Sequence, residues 1–463
     1  MTTPSLYCPA CGEAESLDSQ LHCDGCDITY PMLAGVPFLF PNPEQELGRW
    51  EARTHSEQQL LLKRQSECDA SLSALDQSSA ATQTTAARLT HLSHAYGAQL
   101  DCLAVLLEPL LQDRPGSDHP TYRALKTRGL QDTTTLFGYA TNLFRDWVWG
   151  DAENTQALSM LQQVAPGAFG KTLVLGAGGG RLAWDLAGSE TTEVAELTAV
   201  DINPFSTLAA RQITHAGTAA GSGVKLWEFP LAPVQTKDTA IERTLRAEPR
   251  PTAAKLSFVL ADARALPFGP ESFDTVVTPW FTDVVQESPA ATARRINRLL
   301  APGGRWLNFG SVSFANADPA QCLLIEELCA LVASNGFDEP SVIEERGPYL
   351  QSPHSRFSRN ELLHAFAANK VRAISAAARD AAESENSVPV WISNPAKPVP
   401  TLELFQQQAL ATQVHAYLMS LIDGERSIKN IAQELEERRL MTAREAVPVI
   451  QDFLTKMLDG PAT

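Results

Sequence analysis

The chain of 463 residues is poor in positive charge: 37 lysines and arginines stand against 54 aspartates and glutamates, a formal net charge of −17. Gripping nucleic acid unaided needs a concentrated basic face, so this balance argues against a nucleic-acid partner. No stretch reaches the roughly eighteen consecutive apolar residues that cross a bilayer, and no amphipathic membrane segment is found. The opening Met1-Thr-Thr-Pro-Ser5 lacks the basic start and apolar core of a secretory signal, so a cytoplasmic location is expected. Internal repeats are lacking too. In a reducing compartment, paired cysteines read as metal ligands before disulfides. What is present is a hydrophobic content of 44%, enough for real cores. The chain is too long for one domain of ordinary size, and about two to four units are expected.

Lys171-Thr-Leu-Val-Leu-Gly176-Ala-Gly178-Gly-Gly180-Arg181 reads as a buried strand that breaks at alternating glycines and passes into a helix. A second apolar run, Leu197-Thr-Ala-Val-Asp201, ends in an acid. Glycines let backbone approach a ligand, and the acid can take both ribose hydroxyls. Nucleotide cofactors share this arrangement, so alone it leaves NAD and S-adenosylmethionine open. It equally allows a doubly wound domain whose glycines only make tight turns. The downstream order is more selective. Leu256 to Ala263 reads as a strand ending in Asp262-Ala263, followed by Phe273-Asp-Thr-Val-Val-Thr-Pro279-Trp-Phe281. Then Pro302-Gly303-Gly304 turns into Arg-Trp306-Leu-Asn308-Phe. The ordered series over residues 171–314 resembles the class I S-adenosylmethionine-dependent methyltransferases, which implies a Rossmann-like α/β core. A dinucleotide dehydrogenase would not be expected to carry the Pro-Gly-Gly turn there.

Cys8-Pro-Ala-Cys11 and Cys23-Asp-Gly-Cys26 are two C-x-x-C pairs. Four thiolates on two tight turns suit a closed, tetrahedral, structural zinc site. So small a unit would draw much of its folding energy from the metal. A disulfide pair or a redox dithiol is the alternative. With the continuation Ile28 to Phe40, the segment resembles the zinc ribbon of the small activator proteins of tRNA and protein methyltransferases. Cys68, Cys102, Cys322 and Cys329 have no ligand spacing and read as ordinary thiols.

The expected organisation is a ribbon over 1–43, a helical segment over 44–135 and a methyltransferase domain over 136–384. An exposed insertion is expected at about 216–254. The helical segment should break near Arg114 to Pro120. Prolines 389, 395, 398 and 400 suggest a linker over 385–402. From 403 to 463 the pattern is a helix, an Asp423-Gly424 turn, Ser427 as a helix N-cap, and two more helices. This module resembles the small winged-helix PQQ-synthesis protein D-like domains, which implies peptide recognition. A small helical domain for packing or dimerisation is the plain alternative.

Two stretches resemble one narrower family. Asn142-Leu-Phe-Arg145-Asp146-Trp147 precedes the glycine loop. Pro279-Trp-Phe281-Thr-Asp283 and Gly304-Arg-Trp306-Leu-Asn308-Phe-Gly310 lie within the core. Together they look like the carnosine N-methyltransferases, over roughly residues 136–316. The resemblance implies Arg145 on the methionine carboxylate of the cofactor, with Asn142 beside it in place of a glutamine. It implies Gly176, Gly178 and Gly180 against the sulfonium and ribose, and Asp201 on the ribose where the family has a glutamate. Asp262 and Ala263 would address adenine, and Pro279 would be a further cofactor-binding residue. Asp283 would orient the acceptor and share the proton of an imidazole. Plainer readings are an Arg145–Asp146 ion pair and Asp283 as a helix N-cap. The family's substrate-contacting histidine falls at Ala315 here. Pro348-Tyr349-Leu-Gln-Ser-Pro353-His354 could supply Tyr349 and His354 instead.

The expected function is therefore S-adenosylmethionine-dependent N-methyl transfer to a histidyl or other small peptide or amine. Zinc would be structural, and a protein partner could dock on the ribbon or the C-terminal module. The alternative is a methyltransferase-like scaffold without catalysis. Methylation of tRNA is disfavoured by the acidic balance and by Thr278-Pro279-Trp280-Phe281 standing where an Asn-Pro-Pro-Tyr-type motif would be expected.

Overall fold

The computed structural model describes residues 5–11, 16–76, 78–111, 136–216, 223–249, 254–285, 287–315, 319–374 and 396–459. The chain divides into two compact units, Met1–Ser384 and Glu385–Thr463.

The first unit opens with two short hairpins. β1 (His22–Cys23) pairs with β2 (Ile28–Thr29), and β3 (Met32–Leu33) pairs with β4 (Val36–Leu39). Two long helices follow: α1 (Pro43–Ala74), capped by Asn42, and α2 (Ala80–Leu106), which begins in a Ser79–Thr82 capping box. The expected break near Arg114 to Pro120 lies outside the described residues. α3 (Ala140–Phe144) runs into a single π-helical turn over Arg145–Trp149, and α4 (Asp151–Val164) leads to the core.

The core alternates strand and helix, as its apolar runs require. β5 (Gly170–Leu175), α5 (Arg181–Ala187), β6 (Val194–Asp201) and α6 (Pro204–Ala216) come first. A hairpin of β7 (Val224–Glu228) and β8 (Ile241–Leu245) precedes β9 (Lys255–Ala261). β10 (Phe273–Pro279), α7 (Pro289–Leu299), β11 (Leu300–Gly310) and α8 (Ile325–Ser334) continue the pattern. The unit closes on the antiparallel pair β12 (Ser341–Tyr349) and β13 (Arg359–Asn369).

Nine strands make one mixed sheet in the order β12-β13-β11-β10-β5-β6-β9-β4-β3. The pairs from β11 to β4 are parallel, while β13, β12 and β3 pair antiparallel to their neighbours. Chain order reverses at β5, so a crevice opens beyond the carboxyl ends of β5 and its neighbours.

Two contacts add to the expected organisation. The segment expected as a ribbon over 1–43 gives β4 to the main sheet, with Phe38 opposite Leu260 and Leu39 opposite Ala261. Val36, Phe38 and Leu39 are fully buried, so the apolar side chains that follow the second cysteine pair belong to the large core. The insertion is likewise not simply exposed. Its hairpin packs on α2, where Trp227 N–H donates to Gln99 Oε1 at 2.7 Å and His91 Nε2 lies 2.7 Å from Ala240 O.

The second unit comprises α9 (Glu403–Ser420), α10 (Ile428–Glu437) and α11 (Ala443–Asp459) around Leu418, Ile431, Leu435 and Ile450. Ser427 caps α10 through the Asn430 N–H, and Gly424 takes φ +83° in the turn before it. Its described residues contain no strand. Among all described residues, no helix is long and apolar enough to cross a membrane.

Candidate functional site

The carboxyl ends of β5, β6, β9 and β10 converge on a cavity of about 300 Å³, a size that suits a small-molecule ligand. The glycine loop forms its floor. Gly176, Gly178 and Gly180 have φ of +71°, +53° and +76°, where a side chain is strained. The three serve different ends. A Cβ on Gly180 would meet Ala210 Cβ at 2.9 Å, so this residue lets α6 approach the loop. A Cβ on Gly176 would meet the Phe281 ring at 2.9 Å. A Cβ on Gly178 would meet nothing within 4 Å. Gly178 thus presents its backbone to open space in the cavity.

Asp201 ends β6 with its carboxylate held on both sides. Gly178 N–H donates to Oδ2 at 2.8 Å and Asn203 N–H to Oδ1 at 2.8 Å. Burial pushes its carboxyl up from the ordinary value, against the pull of these N–H groups. Asp262 ends β9 gripped by Arg264, whose Nε and Nη2 reach its two oxygens at 3.0 and 2.6 Å. Burial raises Asp262, but the Arg264 clamp outweighs it and holds the carboxyl below the usual range.

Arg145 stands on the π-helical turn, a feature often found at functional sites. Its Nε and Nη2 donate to Asp146 Oδ1 at 2.9 and 2.7 Å, with both side chains largely buried. The ion pair of the plainer reading is therefore present, and it faces the cavity. The turn is locked to the loop: Trp147 Nε1 donates to Gly179 O at 2.7 Å, and Arg181 Nη1 donates to Asp146 O at 2.7 Å.

Asn142, Arg145, Gly176, Gly178, Asp201, Asp262, Ala263 and Pro279 all line the cavity; Gly180 lies just behind it. The three residues expected to act on the acceptor do not line it. The Tyr349 ring lies 4.6 Å from that of Trp280, which lines the cavity, with the Arg359 guanidinium 4.6 Å over it. Asp283 accepts the Ser313 N–H at 2.9 Å, tying the two loops beyond β10 and β11. It is not the N-cap of α7, which is Ser288. His354 is drawn to the β7–β8 hairpin, where Asp238, nearly buried, holds its Nδ1 at 2.9 Å. An acid on the insertion, invisible to local pattern, claims that histidine.

Several cavity residues were given no role by the sequence reading. Ile202, 41% exposed, offers an apolar face beside Asp201. Trp280 lines the mouth at φ +50°. Glu153 of α4 accepts the N–H groups of Leu350 and Gln351 at 3.1 Å each, and burial pushes its carboxyl up. Trp50 and Arg53 come from α1.

The sulfur atoms of Cys8, Cys11, Cys23 and Cys26 lie within 4.8 Å of one another, and none of the four is joined in a disulfide. Neighbouring separations of 3.4–3.7 Å are close to the about 3.8 Å edge of a tetrahedron around zinc. Although burial opposes it, the Tyr30 hydroxyl at 3.0 Å and backbone N–H groups bring Cys8 down to about 6.

Residues 215–307 match the family described as "Methyltransferase domain". No curated protein matches the chain. Among solved structures, the Haemonchus contortus phosphoethanolamine N-methyltransferase 2 with phosphomonomethylethanolamine and S-adenosylhomocysteine is 17% identical, with a TM-score of 0.32; the match covers 53% of this chain and 59% of that one. A Methanosarcina mazei S-adenosylmethionine-dependent methyltransferase is 19% identical over 43% of this chain and 92% of that one, with a TM-score of 0.29. A methyltransferase in complex with the Haloferax volcanii Trm112 activator is 15% identical over 51% and 96%, with a TM-score of 0.33. Likenesses this weak say nothing of substrate. Over residues 215–307 the chain is similar to a methyltransferase domain.

Proposed function

We propose that the protein transfers a methyl group from S-adenosylmethionine to a nitrogen of a histidyl peptide or other small amine. The observation that carries the reading is the Gly178–Asp201 pair, which sets an acid and an unobstructed glycine backbone on one cavity with Asp262 and Arg145. The donor set fits the cofactor. Asp201 would take the ribose hydroxyls, Asp262 and the Ala263 backbone the purine, and Arg145 with Asn142 the amino-acid end. Gly176 keeps the floor low, and Pro279 borders the mouth.

When bound, S-adenosylmethionine supplies an electrophilic methyl group on a sulfonium. The chain's residues then have to position a neutral nitrogen in line with it and exclude water. Trp280, Phe281 and Phe309 give the cavity an apolar side. Asp283 and Tyr349, at the rim, are the proposed orienting groups; His354 would need to leave Asp238 to join them. Zinc on the four cysteines would be structural, since the thiols fill its coordination. The C-terminal unit is proposed to present a peptide. Calorimetric titration with S-adenosylhomocysteine, followed by labelled-methyl transfer to histidyl dipeptides, tests the reading.

The engagement of Asp283 by Ser313, together with Ala315 at the place of a histidine, favours the scaffold reading. Tight S-adenosylhomocysteine binding without transfer to any amine tested would support it.

A further inference from the structure

α1 belongs to no motif of the methyltransferase core, yet it reaches the cavity. β4 runs parallel to β9 with Leu39 opposite Ala261, and the residues after Ala261 turn directly into the Asp262–Arg264 wall. α1 starts four residues beyond Leu39, and the charge of Glu46 in its first turn adds to that of Asp262 on Arg264. The helix therefore passes this wall. One turn on from Glu46, Trp50 and then Arg53 lie on the same face, three residues apart, and both line the cavity. The Arg53 guanidinium sits 4.4 Å over the Trp50 ring, which holds the indole in one place.

Trp50 is only 1% exposed, and its indole N–H meets no acceptor among the described residues. Buried donors are nearly always paired, and an orphan in a residue that lines a cavity points to an acceptor supplied by the ligand. Resting on the cofactor reading given above, we infer that Trp50 and Arg53 contact the nucleoside half of the bound cofactor, with the Trp50 indole N–H donating to one of its ring or ribose acceptors. The N-terminal segment is then part of the cofactor site, although its sequence lies far from every core motif.

Full-length Trp50→Phe keeps the ring and deletes the donor. Calorimetry should show S-adenosylhomocysteine binding weakened about tenfold, the ordinary worth of one hydrogen bond, and adenosine weakened by the same factor. Unchanged affinity for S-adenosylhomocysteine overturns the inference, as does a loss with S-adenosylhomocysteine that adenosine does not share. Failure of the unsubstituted protein to bind S-adenosylhomocysteine removes the function reading and this inference with it. Ligand-free melting shows whether Trp50→Phe folds. Should it not, Arg53→Met is measured the same way, and unchanged affinity for both ligands again overturns the inference.

Discussion

The Gly178 N–H donates to Asp201 Oδ2 at 2.8 Å, joining the first core turn to the end of the neighbouring strand. Asn203 N–H holds the other oxygen, so the carboxylate is fixed before any ligand arrives. Preorganisation of this kind reduces the ordering that binding would otherwise require.

Asp201→Asn should weaken S-adenosylhomocysteine by about 1.5–3 kcal/mol, roughly ten- to hundredfold, because a charged acceptor is replaced by a neutral one. Burial raises the Asp201 carboxyl, so it protonates above the ordinary carboxylate range. The ligand prefers the ionised form, so affinity should fall as pH drops through that raised value. Ligand-free stability has the opposite sign. The folded chain holds the proton more tightly than the unfolded chain, so this group's contribution improves as pH falls through the same window. Calorimetry across pH checks the affinity, and an unaltered pH profile in Asp201→Asn would remove the assignment.

Arg145 and Asp146 form a largely buried pair. Arg145→Ala leaves a buried carboxylate alone and should cost about 3–5 kcal/mol of stability as well as cofactor affinity. The double change Arg145→Met with Asp146→Leu should recover much of the stability and none of the affinity. Recovery of both in melting and binding assays would make the pair purely structural.

Gly178 and Gly180 should separate binding from folding. Gly180→Ala drives a methyl group against Ala210 from a left-handed backbone and should destabilise by more than about 1 kcal/mol. Gly178→Ala meets no protein atom, so its larger effect should be on cofactor affinity. Equal ratios of the two effects, in denaturant melts and titrations, would contradict the division.

Asp283→Asn retains an oxygen for the Ser313 N–H while deleting the charge. If the carboxylate orients the acceptor, turnover should fall by about 10²–10⁴ with cofactor affinity unchanged. Undiminished turnover would confine Asp283 to holding its loop.

Removal of the zinc proposed for the four cysteines should reach the whole first unit. Tyr7 N–H donates to Pro267 O at 2.9 Å, and Cys8, Tyr30, Leu39 and Phe268 share one core cluster. Chelation should therefore lower the melting temperature of the methyltransferase core, and the zinc-replete transition should return on adding zinc. A core transition indifferent to chelator would make the cysteine centre a detached appendage.

What sequence reading reached was local. The strand–glycine–helix–strand–acid order of residues 171–201 is written in consecutive residues, and the structure lays it out in that order. Asp262-Ala263 and the Ser427 cap are legible for the same reason. What escaped depends on chain segments brought together only by folding. Val36 to Leu39 carry nothing to say that they extend a sheet whose next strand starts at Lys255. Asp238 and His354 meet across the insertion, and Trp50 reaches the Asp262 wall because β4 aims α1 there. The proposed acceptor side is the least local part of the site, since the cavity there draws on α4, the end of β10 and the end of β12.

The measurement that bears most directly on the central claim is calorimetric titration of the zinc-replete protein with S-adenosylhomocysteine. The cavity built around Asp201 and Gly178 predicts one site of micromolar or tighter affinity, weakened by Asp201→Asn. No heat of binding, or binding that Asp201→Asn leaves untouched, would contradict it.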